Sequence, residues 1–384
     1  MAKETVKKTG SKKSASSKSA SGKGASAKGA PSSSKKKSAS KTKGARKKRR
    51  IIIFGIEIVL LLVLVVGFYV VRQLDRIQRP VVDPEQVQIN QTLPEETVKT
   101  LSGYTNIALF GLDTRTPGQL GKGNRSDTII IASINNDTQE VRLVSVYRDT
   151  YLDLANGKFN KCNGAYSSGG PEQAMAMLNK NLDLDIQYYI SVDFAALTET
   201  IDLLGGIYID VDETEISHLN NYTVETSVVT GVETQKLTQT GLQLLDGVQA
   251  TSYCRIRYTD GDDFKRTERQ REVIGEIVNT AKKADITEIN EIINAVFSKI
   301  ATNYTNEEII QMAPEMIGYN IVDTQGFPFD RVPASVKGKG SCVVPVNLAE
   351  NVKQLHEYLF GNYSYTPSEE VQAISNQITS DTGY

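Results

Sequence analysis

Four short stretches of this chain set charge at the ends of apolar runs, with arginine in all four and aspartate in three. The first is GLDTR (111–115), where Asp113 and Arg115 follow the apolar run 106–111. In the second, Arg125-Ser126-Asp127-Thr128, the charges precede a run of isoleucines. The third, Tyr147-Arg148-Asp149-Thr150, follows the apolar run 141–146, and the fourth is Arg255-Ile256-Arg257. Downstream, Arg266 and Gln270 stand four residues apart, a spacing that puts both on one side of a helix. A guanidinium is planar, stays charged and grips phosphate with two parallel hydrogen bonds, whereas a lysine such as Lys161 acts as a point charge. The chemistry these residues suit is the binding of a phosphorylated anion. Asp113 and Asp127 suit a hard divalent cation such as Mg²⁺ held against phosphate oxygens. The same two carboxylates equally suit a structural network of ion pairs with the arginines.

Other chemistries are disfavoured. The chain has only two histidines, His218 and His356, so a His-rich metal centre is excluded and a Ser-His or Cys-His pair is disfavoured. Cys162, Cys254 and Cys342 have no metal-ligand spacing, and their odd number leaves one unpaired or all three free. No G-x-S-x-G occurs, and GQLGKGNRS (118–126) lacks the phosphate-loop spacing.

The elements that must position these residues follow from hydrophobic period. Residues 106–111, 127–134 and 141–147 read as strands, the last two joined by a turn at Asn135-Asn136-Asp137. Helices are expected over 171–182, 194–204, 264–282, 286–300, 305–319 and 348–359, with strands at 187–192 and 341–344. A strand over 250–258 would turn Arg255 and Arg257 to the same face. This is an α/β pattern: a mixed central sheet flanked by helices on both faces, filling residues 101–361.

Upstream, the composition changes. Residues 1–50 carry 18 Lys and Arg against the single acid Glu4, while the rest has 26 bases and 44 acids, so a net charge of −1 conceals two opposed halves. The basic tail is expected to be disordered, because it lacks the apolar residues that would offset ordering entropy. Residues 51–71 then form an apolar run of about 31 Å as a helix, enough to cross a bilayer once. The basic flank Arg46 to Arg50 places the N-terminus in the cytoplasm and the large domain outside the cell membrane. With a membrane span directly behind the tail, nucleic acid is not an expected partner. A proline-containing stalk is expected over 72–100 and a loose polar tail over 362–384.

Seven strings, NIALFGLDTR, RSDTIIIASIN, VRLVSVYRDTYL, KCNGAYSSGG, YYISVDFAALTETIDLLGGIYIDV, GLQLLDGVQATSYCRIR and DDFKRTERQREVI, occur in order between about residues 104 and 275. Together they resemble the LytR-CpsA-Psr family of cell-wall glycopolymer ligases. The resemblance implies a phosphotransferase that moves an anionic glycopolymer, of the teichoic acid or capsular polysaccharide type, from a polyprenyl-pyrophosphate carrier to peptidoglycan. It assigns the metal role to Asp113 and Asp127, and pyrophosphate contacts to Arg125, Arg148, Lys161, Arg255, Arg257, Arg266 and Gln270. Of these, Arg148, Arg255 and Arg257 would carry the chemistry, with Asp149 or a metal-bound carboxylate as the candidate base. The chain departs from the family at Tyr147, where proline is usual. A non-catalytic sensor of lipid-linked precursors, or a hydrolase of the carrier, would use the same residues.

Overall fold

The computed structural model describes residues 39–80, 83, 87, 89–114, 116, 118–257, 259 and 261–384. Arg115 and the expected disorder of residues 1–38 lie outside them. Helix α1 (Ala39–Leu74) begins twelve residues before the apolar run, so residues 39–50 are helical where a disordered tail was expected. Alanine, lysine and arginine are good helix formers there, and extending an existing helix needs no new nucleus. Within α1, Ile52–Leu74 is long and apolar enough to cross a membrane, three residues beyond the expected end.

The expected stalk is corrected. Leu74, Ile77 and Val87 are buried, Gln78 forms a parallel bridge with Ala301, and the Arg79 guanidinium donates to the Tyr304 carbonyl at 2.8 Å. Spaced apolar residues lay this segment onto the domain despite its prolines. At the end of α1, Gln73 Nε2 donates to Asn294 Oδ1 at 2.6 Å.

After α2 (Glu95–Leu101) come β1 (Tyr104–Asp113), β2 (Arg125–Asn135) and β3 (Glu140–Val146), then the short pair β4 (Tyr151–Asp153) and β5 (Phe159–Lys161). Helix α3 (Gly164–Leu182) is broken at Gly170, so Pro171 does open a helical segment, as expected. Next are β6 (Tyr188–Asp193), α4 (Phe194–Leu203), β7 (Ile207–Val211), α5 (Glu213–Thr230), β8 (Gly241–Leu245), α6 (Gly247–Tyr253) and α7 (Asp262–Ala281). The chain continues with α8 (Ile286–Val296), β9 (Ile300–Thr302), α9 (Asn306–Met316), β10 (Asn320–Phe327), β11 (Arg331–Val336), β12 (Gly340–Pro345), α10 (Leu348–Phe360) and α11 (Glu369–Thr382).

Six strands make the central sheet in the order β10-β3-β2-β1-β6-β9. The β1/β6 and β10/β3 pairs are parallel and the other pairs antiparallel, so the sheet is mixed. One face packs Phe110, Ile131 and Val144 against α3, α10 and α11 through Met175, Leu355 and Ile374. The opposite face packs Ile107, Ile130 and Leu143 toward α7 and α9 through Ile274, Ile309 and Met312. Helices therefore cover both faces, as the alternation of elements implied. The tail expected to be loose is instead α11, whose Val371, Ile374 and Ile378 are buried at helical spacing.

The expected strand over 250–258 is also corrected. Asp246 and Gln249 form a reciprocal capping box that starts α6, and the chain leaves the helix at Cys254. Arg255 and Arg257 therefore sit on the connection between α6 and α7; Tyr258 lies outside the described residues. All three cysteines are free and buried. The Cys162 thiol donates to the carbonyls of Tyr147 (3.1 Å) and Arg148 (3.3 Å).

Candidate active site

Because β2 runs antiparallel to both β1 and β3, the end of β1, the start of β2 and the end of β3 lie at one end of the sheet. Asp113 pairs in register with Arg125, and Arg148 follows β3 by two residues. The β1/β2 register slips between Gly111, opposite Thr128, and Leu112, opposite Ser126. Asp127 is thus the extra residue of a β-bulge, a device that re-aims one side chain out of the ladder. Gly111 permits the close approach: a Cβ there would stand 2.8 Å from Thr128 Cβ.

Three arginines from three stretches of chain converge on Asp127 and on Asp263 at the start of α7. Arg148 Nη1 is 2.9 Å and Arg257 Nη2 3.5 Å from Asp127 Oδ2. Arg266 Nη2 is 3.0 Å from Asp263 Oδ1 and donates to the Asp127 carbonyl at 3.1 Å. Asp263 Oδ1 also lies 3.7 Å from Arg148 Nε and 3.9 Å from Arg257 Nε. Burial pushes the Asp263 carboxyl upward against the pull of these three guanidiniums. Burial likewise pushes Arg266 down to about 10, opposed by Asp263. The Nε atoms of Arg148 and Arg266 and the Oε1 of Gln270 are buried without hydrogen-bond partners. All three residues line one cavity, where water, an ion or a ligand can complete them.

A cavity of about 670 Å³ opens on this cluster, lined by Asp113, Arg125, Asp127, Arg148, Arg255, Arg257, Arg266 and Gln270. Gln270 is fixed by donating Nε2 to the Cys254 carbonyl at 3.3 Å. Arg255 stands apart from the aspartates: it pairs with Glu225 at 2.9 Å and lies over the rings of Phe194 and Tyr222. Those two rings give one side of the cavity an apolar wall. Lys161 does not line this cavity. It pairs with Asp149 at 3.2 Å, and both line an adjoining cleft that shares Arg125 and Arg148 with the first.

Asp263 and Glu225 escape a reading of the sequence. Asp263 lies inside a string that carries the family resemblance, yet its role depends on contacts with residues more than a hundred positions away. Nothing in the surroundings of Glu225 marks it.

The two candidate metal ligands, Asp113 and Asp127, line the same cavity, and among the described residues no third carboxylate, histidine or cysteine joins them in a metal-binding group. Both recorded bonds to the Asp127 carboxylate fall on Oδ2, and among the described residues Asp113 makes no side-chain hydrogen bond or ion pair. Two carboxylates in a cavity lined by arginines are the number Mg²⁺ takes when substrate oxygens complete its shell. The alternative expectation, ion pairing with arginine, holds for Asp127, while among the described residues Asp113 pairs with none.

At Tyr147, where the family usually has proline, the backbone amide donates to the Phe327 carbonyl at 3.0 Å, a bond proline could not make. The ring packs edge-on against Phe264 with centroids 4.6 Å apart, and Arg331 lies over both rings. Phe264 adjoins Asp263, so this contact ties the end of β3 to the start of α7. It brings Arg148 and Asp263 to one place.

Comparison with known proteins identifies the family and the fold. The profile described as the LytR_cpsA_psr family matches residues 74–357. A relative from Enterococcus faecalis named polyisoprenyl-teichoic acid–peptidoglycan teichoic acid transferase TagU is 32% identical over 275 residues, 70% of this chain and 82% of that protein. The protein of the same name from Bacillus cereus is 26% identical, covering 69% of this chain and 83% of its own. The crystal structure of gbs0355 from Streptococcus agalactiae shares the fold with a TM-score of 0.58 at 21% identity, over 72% of this chain and 93% of that one. TagT bound to LI-WTA does so with a TM-score of 0.53 at 18% identity, over 79% and 100%. On the breadth of the profile match and the identity to TagU, this chain belongs to the LytR_cpsA_psr family.

Proposed function

We propose that this protein is a phosphotransferase that moves an anionic glycopolymer from a polyprenyl-pyrophosphate carrier to a peptidoglycan hydroxyl. The observation that carries the reading is the convergence of Arg148, Arg257 and Arg266 on two carboxylates they must share, in a cavity with unsatisfied buried donors. The names of the TagU relatives support the substrate class.

In the step proposed, an acceptor hydroxyl attacks the phosphorus that bears the polymer. A new oxygen–phosphorus bond forms, the bond to the carrier phosphate breaks, and its electron pair leaves with the carrier monophosphate. The hydroxyl proton passes to the Asp149 carboxylate. Charge grows on the equatorial and leaving oxygens, where Arg148, Arg257 and Arg266 stand preset to meet it. Arg125, Arg255 and Gln270 orient the pyrophosphate. Lys161 holds Asp149 on the acceptor side, so its contact with pyrophosphate is indirect. Asp113 and Asp127 would hold Mg²⁺, which when bound neutralises phosphate charge. The basic flank Arg46 to Arg50 supports a cytoplasmic N-terminus and an outer catalytic domain.

The test mixes the full-length protein in nanodiscs with a lipid-linked donor, Mg²⁺ and peptidoglycan oligomers. Polymer-bearing oligomer is expected from the wild type and none from a variant with Arg255→Ala and Arg257→Ala. Tight donor binding without turnover would instead make the protein a sensor, and free polymer released without acceptor would make it a hydrolase.

A further inference from the structure

We infer that the cleft adjoining the arginine cavity is the acceptor subsite, which takes a sugar of the glycan strand and presents its hydroxyl to the phosphorus. The inference rests on the transfer reading above. The cleft holds about 520 Å³ and meets the larger cavity at Arg125 and Arg148, the two residues common to both. Displacement at phosphorus needs the incoming and leaving oxygens roughly in line. With the phosphoryl group on Arg148 and the carrier on the side walled by Phe194 and Tyr222, the hydroxyl has to arrive from the other side.

The lining suits a sugar and not a prenyl chain. Leu154 is its one large apolar residue, and the rest is amide, hydroxyl and charge. Asn163 is 8% exposed, and among the described residues its side chain has no hydrogen bond. Its amide reaches the open cleft, where it can both donate to and accept from a sugar hydroxyl. The hydroxyls of Ser167 and Ser168 donate to the Gly164 carbonyl at 3.0 and 2.8 Å, which leaves their lone pairs to accept from sugar hydroxyls. At the tip of the β11–β12 hairpin, Lys339 lines the cleft and among the described residues makes no ion pair. Asp149, the proposed base, lines this cleft and not the larger cavity.

Ser168 is exposed at the surface of α3, so Ser168→Tyr fills the cleft without entering the core, and Lys339→Ala removes its unpaired cation. The full-length protein in nanodiscs is titrated with a lipid-free GlcNAc–MurNAc tetrasaccharide and, separately, with inorganic pyrophosphate. Each variant is expected to weaken tetrasaccharide binding and raise the acceptor KM about tenfold or more, with pyrophosphate affinity unchanged. Unaltered saccharide binding in both variants overturns the subsite. So does a loss of affinity for lipid-linked donor with acceptor KM unchanged, because the cleft would then hold the donor's own sugar. A wild type that binds the tetrasaccharide yet transfers nothing leaves the subsite standing and overturns the transfer reading alone.

Discussion

Arg266 and Arg269 stand three residues apart on α7, and both are almost fully buried, yet their surroundings differ in kind. Arg269 is saturated. It donates to Glu215 at 2.7 Å, to the Ile256 carbonyl at 3.2 Å and to Thr259 at 2.8 Å, and it lies over the ring of Tyr253. Arg266 shares Asp263 with two other arginines and keeps a bare Nε. Around Arg269 one cation meets one carboxylate, whereas around Arg266 three guanidiniums divide Asp127 and Asp263, and the third carboxylate in reach, Asp149 at 3.8 Å from Arg148, is shared with Lys161. A buried ion pair in balance is a structural device, whereas a local excess of positive charge favours an added anion.

That contrast can be broken from either side. The largest effect is expected at the balanced pair: Arg269→Ala leaves Glu215 buried and unpaired, and should cost about 3–5 kcal/mol of stability in denaturant unfolding. The fraction that remains folded should bind pyrophosphate normally. At the unbalanced cluster, Arg257→Ala should lower transfer by about 10²–10³-fold. Because Arg257 is one-third exposed, its removal should leave the unfolding midpoint nearly unchanged. If the two variants exchanged phenotypes, the distinction between balanced and unbalanced arginines would be lost.

Gly111→Ala tests how the cluster is aimed. Its new Cβ meets Thr128, part of the strand beside the bulge, and the strain should cost about 1–3 kcal/mol. Donor affinity should fall with it, because Asp127 moves with the bulge. Wild-type donor affinity in a folded Gly111→Ala protein would show that the bulge does not set the geometry.

The smallest effect concerns pH. Since the Asp263 carboxyl is raised above its ordinary value, it takes up a proton earlier than a free aspartate as pH falls. Protonation removes one negative charge from the cluster, so pyrophosphate affinity should climb as pH falls through that titration, by no more than about tenfold. Asp263→Asn should abolish this slope. By the same linkage, the raised carboxyl favours the folded state below its unfolded value, and that contribution fades as pH rises through the folded one.

Much of this was legible in the chain itself. The first three strands announce themselves by apolar runs that begin or end at charge, and the antiparallel order of those strands is what gathers Asp113, Arg125, Asp127 and Arg148. Arg255 and Arg257 line the same cavity as the strand-end charges, but from a loop and not from the expected strand. Their alternation mimics a strand, while the Asp246-Gly247-Val248-Gln249 start signal for a helix was there to be read. Asp263 was hidden for a different reason: its meaning comes from Arg148, which reaches it only through the packing of Tyr147 on Phe264. Helix α11 looks polar by composition, and only its spacing reveals the buried stripe.

The free thiols have a practical consequence. Cys162 is anchored to the carbonyls of Tyr147 and Arg148, and the Cys254 carbonyl holds Gln270, so two cysteines sit directly behind the residues that face the substrate. Burial raises both thiols, Cys254 to about 12, which keeps them unreactive while the fold is closed. An alkylating reagent therefore acts as a clock on local opening. The rate at which each sulfur is captured, with and without a bound anion, measures how firmly each half of the arginine cluster is clamped.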